Sequence, residues 1–256
     1  MTTPPSFPDL LRLIDERFAT FRAVIAAAPD LGVQVPTCPE WTLLDLAQHM
    51  GLSRRRWAAT IEAGPDATGR VMLESAPAEG ETLDAWLADS AQAMIGALRD
   101  AGPDQGSWVW WKDAQSPATC GAVARHQLQE IAVHTYDAQL AVGDPQPLVA
   151  ELAVDGAEEF LFTCCATSSP WPYRPAVVDY QVTEGVTWRL WLSSEGIRIA
   201  RLTDDEIATA GPADATARST AGDLMLVFYS RSPLETLMMD GDRAIFEQLA
   251  AWDPSA

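Results

Sequence analysis

Lysine is almost absent from this 256-residue chain. Lys112 stands alone among 17 basic side chains, while acidic residues number 36 and leave a net charge of −19. The deficit is evenly spread, with 10 bases facing 19 acids before residue 145 and 7 facing 17 after it. Nucleic acids and anionic membranes are bound through Lys and Arg that neutralise phosphate charge, so neither is an expected partner. Cysteine is scarce too. Cys38, Cys120, Cys164 and Cys165 form no CxxC pair and are too sparse for the disulfide framework of a small secreted domain. No apolar run approaches the ~18 residues of a membrane span. The start, Met1–Leu13, has Pro and Asp where a signal peptide carries a basic stretch and an apolar run. These absences predict a soluble cytoplasmic protein. Few lysines with many alanines is also a pattern of GC-rich bacterial genomes. Histidine is the scarcest chemically versatile residue, with only His49, His126 and His134.

What is present suffices for a core. The chain is 48% apolar and 21% charged, which excludes a disordered or collagenous protein. Its length fits one large domain or two modest ones, at about 150 residues per domain. Four amphipathic helices are predicted in the first 145 residues. Ser6 or Pro8 opens the first, carried by Leu10, Leu11, Ile14, Phe18, Phe21 and Ile25. Thr42 with Asp45 makes a capping-box pattern for the second, which runs through His49 to Trp57 or beyond. Thr82 caps a third, ended by Gly102-Pro103, and the fourth runs from Pro117–Thr119 to Gly143. An antiparallel bundle is the economical arrangement. Past residue 145–150 a helix-like stretch, Val149 to Phe162, leads into period-two alternation. Val178, Tyr180, Val182, then Trp188, Leu190, Leu192, then Ile197 and Ile199, with Glu184-Gly185 and Glu195-Gly196 turns, predict a β-meander. Helices over Asp223–Tyr229 and Arg243–Trp252 and a short strand at Leu237–Met239 complete the picture. The fold class expected is α+β: a four-helix bundle over residues 1–147 and a smaller α+β domain over 148–256.

Glu130 and His134 are four residues apart on the fourth helix, about 40° in direction and about 6 Å in rise, so both can point at one spot. A neutral imidazole and a carboxylate so placed are ordinary ligands of zinc or a similar divalent ion. A surface ion pair or a capped core histidine accounts for the same spacing. His126 lies on the same stripe, but its backbone is about 12 Å in rise from that of His134. With metal bonds of about 2.0–2.2 Å the two do not share an ion, which leaves His126 as a pocket residue. A third ligand would come from a facing helix, where His49 is the only other histidine. Two histidines and a glutamate leave a coordination position open, the mark of a catalytic metal.

The stretch Val35-Pro36-Thr37-Cys38-Pro39-Glu40-Trp41-Thr42, followed by Leu46 and His49, resembles the N-terminal signature of the mycothiol-dependent maleylpyruvate isomerase family. That family belongs to the wider DinB-like metalloprotein bundles. His126-Gln127-Leu128-Gln129-Glu130-Ile131-Ala132-Val133-His134-Thr135-Tyr136-Asp137-Ala138 is similar to its glutamate–histidine–aspartate helix. The Ala221-Gly222-Asp223-Leu224, Arg231 and Asp240-Gly241-Asp242 blocks resemble its C-terminal domain. The resemblance implies a divalent metal, usually zinc, on His49, Glu130 and His134. It further implies mycothiol, the low-molecular-weight thiol of actinobacteria, as cosubstrate, and a small electrophile as substrate. A thiol of pKa near 8.5 is activated by a cation at the open position. Thiolate addition to a cis double bond, rotation and elimination would isomerise it; displacement without elimination would be S-transfer. A metal-dependent hydrolase and a non-catalytic metal-binding sensor are the alternatives.

Further residues carry two readings each. Asp137 would orient a ligand histidine or face solvent. Arg231 would clamp a substrate carboxylate or serve as a loop ion-pair partner. Trp110, with Trp108 and Trp111, would line a thiol pocket alongside His126, or pack in the core. Cys38 is expected to be a buried, inert thiol and Cys164-Cys165 to be packing residues. Arg54-Arg55-Arg56 is expected to be a solvated helical face rather than an anion site.

Overall fold

The computed structural model describes residues 4–73 and 82–253. Residues 1–3, the beginning of the Met1–Leu13 segment, lie outside the described residues. The chain divides into two compact units. One comprises Pro5–Trp110 and Pro117–Leu148; the other comprises Trp111–Ser116 with the chain from Val149 onward.

The first unit is helical. Ser6 accepts from the Asp9 backbone and starts α1 (Phe7–Ala27), whose buried stripe is the six apolar residues that its periodicity picks out. A short hairpin follows, β1 (Gln34–Val35) and β2 (Cys38–Thr42), and the sequence reading missed it. Pro36 and Pro39 hide it, since proline reads against a strand and survives only where no ladder donor is needed. Thr42 ends β2 and also N-caps α2 (Leu43–Ala63) through a complete capping box with Asp45. Thr82 and Thr119 cap α3 (Leu83–Ala101) and α4 (Cys120–Ala141) more simply, each side chain accepting from the backbone N–H three residues on. Helices α1 and α2 each pack on both α3 and α4. The α2–α3 contact is close because Gly51 has no side chain: a Cβ there would enter the ring of Trp86, itself 1% exposed. Gly51→Ala gains about 1 kcal/mol of helix propensity but overpacks a fixed ring. A net loss of about 1–2 kcal/mol is therefore expected, read as a lower urea midpoint at unchanged m-value.

The second unit is α+β. Helix α5 (Ala150–Phe160) runs into one π-helical segment, Leu161–Cys165. The five-stranded sheet has the order β5 (Gly196–Leu202), β4 (Val186–Ser193), β3 (Ala176–Val182), β6 (Ala215–Ser219), β7 (Met238–Gly241). Strands β3, β4 and β5 are the expected meander. Its first turn uses Gly185 at φ 81°, a conformation that glycine adopts without a Cβ clash. A short helix, α6 (Asp204–Thr209), and β6 (Ala215–Ser219) were not expected. β6 runs parallel to β3, and its Ala-Thr-Ala-Arg-Ser sequence lacks the bulky alternation that marks a strand. Helix α7 (Ala221–Phe228), β7 (Met238–Gly241) and α8 (Arg243–Ala251) fall within a few residues of their predicted places. The Trp111–Ser116 segment belongs to this unit by its bonds. Gln115 exchanges two hydrogen bonds with the Ile199 backbone at 2.6 and 2.9 Å, and Ser116 accepts from Thr163 at 2.8 Å. Among the described residues no helix is long and apolar enough to cross a membrane.

Candidate metal centre

Helix α2 carries His49 and, about one turn on, the adjacent Ser53 and Arg54, and α4 presents Gln127, Glu130, His134 and Asp137 to them. One ligand atom from each of His49, Glu130 and His134 lies within 4.8 Å of the other two. The ring centroids of the two histidines are 5.3 Å apart, and His49 Nε2 is 3.6 Å from Glu130 Oε1. Facing helices thus bring together the three residues that spacing and resemblance pointed to.

The surroundings prepare each group as a ligand. His134 Nδ1–H donates to Asp137 Oδ2 at 2.9 Å, which sets the tautomer and leaves Nε2 with its lone pair. Burial pulls the His134 pKa down more strongly than Asp137 raises it, so the imidazole is neutral, as ligation requires. Asp137 is fully buried and also accepts from the Thr37 hydroxyl at 2.6 Å. It does not face solvent. Burial works to raise the pKa of Glu130, yet Arg54, His49 and the other histidines together hold it well below the usual carboxylate range. Its two oxygens are unequal. Oε2 accepts from Arg54 at 2.9 Å and Gln127 at 2.7 Å, whereas Oε1 accepts from Ser53 at 3.0 Å and faces His49. Two imidazoles and a carboxylate oxygen are a donor set that suits zinc or a related divalent ion.

Sequence reasoning misplaced Arg54. It is 0% exposed and bonds Gln127 as well as Glu130, so it is no part of a solvated face. Its neighbours are engaged too: Arg55 donates to Ser90 and lies over Trp86, and Arg56 donates to the Leu73 carbonyl. Trp41 belongs to the Val35–Thr42 motif. Its ring centroid lies 4.6 Å from that of His49 and 6.3 Å from that of His134, which makes β2 the cover of the site. Ser53 had a legible signal, four residues after His49 on one helical stripe. Arg70, 3.0 Å from Ser53 Oγ and 5.2 Å over the Trp57 ring, had none.

The remaining candidates are placed as follows. His126 is half-buried, outside the ligand cluster, with its ring 5.7 Å from that of Trp110, which is 50% exposed. Trp108 packs near Trp57 at 6.3 Å, and Trp111 is buried. Cys38 is half-buried rather than buried. Arg231 lies in the second unit, half-buried, with Nη1 donating to the Tyr229 carbonyl at 2.6 Å.

Comparison with known proteins agrees in both units. Residues 11–139 match the mycothiol maleylpyruvate isomerase N-terminal domain, and residues 151–248 match the MDMPI C-terminal domain. Among curated proteins none matches the chain. Among solved structures it is similar to the crystal structure of a histidine-to-alanine mutant of mycothiol-dependent maleylpyruvate isomerase. The two share 10% identity over 92% of this chain and 93% of that one, with a TM-score of 0.57, a likeness that speaks for the fold. With family matches across both units, the chain belongs to the mycothiol maleylpyruvate isomerase family of enzymes.

Proposed function

We propose that His49, Glu130 and His134 hold a divalent metal ion, zinc in the simplest case, and that the enzyme uses it to activate mycothiol toward a small electrophile. The observation that carries this reading is the convergence of the three ligand atoms within 4.8 Å; on a tetrahedral ion three protein ligands would leave a fourth position for an exogenous group. When bound, such a cation supplies Lewis acidity that lowers the pKa of a thiol from about 8.5.

The chain's own residues do the rest. Asp137 holds the His134 ring in one orientation and tautomer. Arg54 and Gln127 occupy Glu130 Oε2, so the carboxylate presents Oε1. Arg54 and Arg70 both act on Glu130 and offset its charge, so that carboxylate opposes an anionic thiolate less than it would alone. Trp41 excludes water from the two imidazoles on its side. Trp110 and His126 offer an aromatic surface for the thiol cosubstrate. Arg231 is assigned, on the resemblance, to a substrate carboxylate, which its guanidinium can meet in a bidentate pair.

The reaction favoured is cis–trans isomerisation, which returns the thiol, with S-transfer, which consumes it, as the second outcome of the same site. Purified metal-loaded protein, incubated with cis-alkene and other electrophiles with and without mycothiol, distinguishes them by whether thiol is recovered. Turnover that is the same without any thiol would refute the proposal. Asp137→Asn keeps the size of the side chain but removes its charge and permits the wrong His134 tautomer. Metal affinity should fall about 10–100-fold, measured by competition with a chromophoric chelator.

A further inference from the structure

In the second unit the sheet and the helices packed on it enclose a cavity of about 240 Å³. An apolar cavity of about 150 Å³ is already large enough to take up benzene. Tyr180 on β3 and Leu190 on β4 form its sheet side, and Phe228 and Phe246 stand against the Tyr180 ring at 5.0 and 5.6 Å. Those tilted and edge-on rings are the arrangement that accommodates another aromatic group. Among the described residues none that lines the space is charged.

One ring that lines the space carries a hydroxyl, that of Tyr180. Tyr180 is 5% exposed and packs its ring on Phe228 and Phe246, and its hydroxyl is not among the fully buried polar atoms left without a partner, so as a lining residue it has access to the space. A tyrosine hydroxyl at the wall of an apolar space takes a hydrogen-bond partner, and a polar substituent on an occupant can supply it. Cys164 and Cys165, on the π-helical segment that continues α5, also line the space. Such segments are rare and recur at functional sites. Burial pushes the Cys165 thiol up to about 12 and the Cys164 thiol higher still, so both are neutral wall atoms and not nucleophiles.

We propose that this cavity binds one small neutral aromatic molecule carrying a single hydrogen-bonding substituent, of the size of phenol, whose polar group meets the Tyr180 hydroxyl. The site does not depend on the metal centre, and its test needs no turnover. Phenol, benzene and benzoate would be titrated calorimetrically into the full chain, its Tyr180→Phe variant and an Ala250→Trp variant. Ala250 is exposed at the rim, so the tryptophan can plug the mouth without entering the core.

Phenol should bind at one per chain and more tightly than benzene. Tyr180→Phe should weaken phenol about 3–10-fold while leaving benzene unchanged, as loss of one neutral hydrogen bond requires. Ala250→Trp should weaken both more than tenfold. Benzoate should not bind, since its charge would be buried unpaired. No saturable phenol binding to the wild-type chain, or phenol affinity unaltered by both substitutions, would overturn the assignment. So would a water on Tyr180 that phenol fails to displace in a crystal.

Discussion

Alanine at His49 or at His134 is expected to abolish stoichiometric metal binding while leaving the fold intact. Each substitution removes one of three protein ligands, and the remaining pair cannot close a site built around an open fourth position. The loss in metal affinity and in thiol-dependent turnover should exceed the roughly 100-fold that marks removal of a supporting residue. Folding should survive because neither histidine is a core element: their side chains are 36% and 13% exposed. Glu130 meanwhile keeps Arg54, Gln127 and Ser53 as partners whether or not an ion is bound. Elemental analysis with circular dichroism on both variants checks this. Stoichiometric metal retained in both would show that the ligands lie elsewhere.

Asp179→Ala should cost about 3–5 kcal/mol of stability, the usual result of leaving a buried charge without its partner. Asp179 and Arg189 stand directly opposite in the β3–β4 ladder, at 5% and 4% exposure. The guanidinium makes two parallel bonds to the carboxylate, both at 2.7 Å. Its remaining reach goes to the carbonyls of Ala210 and Gly211 at 2.9 and 3.1 Å, which ties the end of α6 to the sheet. Removing the carboxylate strands a cation that desolvation already disfavours. Replacing both residues by leucine should therefore be milder than the single change, even though two carbonyls lose a donor. Urea denaturation of the single and double variants decides it. A shift below about 1 kcal/mol for Asp179→Ala would mean that the pair is solvated in the folded protein.

Helix starts were the most legible part of the fold. Thr42, Thr82 and Thr119 mark them because a cap is a local device: one side chain meets a backbone N–H three residues on. The meander was legible for a similar reason, since alternation and a glycine turn are both short-range signals. Strand β6 left no such mark, because its alanines become strand only beside β3, some 37 residues earlier in the chain. The hairpin over Gln34–Thr42 was concealed by its own prolines.

The candidate centre divides along the same line. The i,i+4 spacing of Glu130 and His134, the scarcity of histidine and the family resemblance singled out three candidate ligands before any geometry was known, because helical periodicity is inherent in sequence. Folding decided everything that depends on the meeting of α2, α4 and β2. It put Asp137 behind His134, Trp41 over both imidazoles, and Arg54 in the core against one oxygen of Glu130. A charged side chain reads as surface in any one-dimensional pattern. Only packing tells which arginine is buried, because only the carboxylate that it finds there offsets the cost of leaving water.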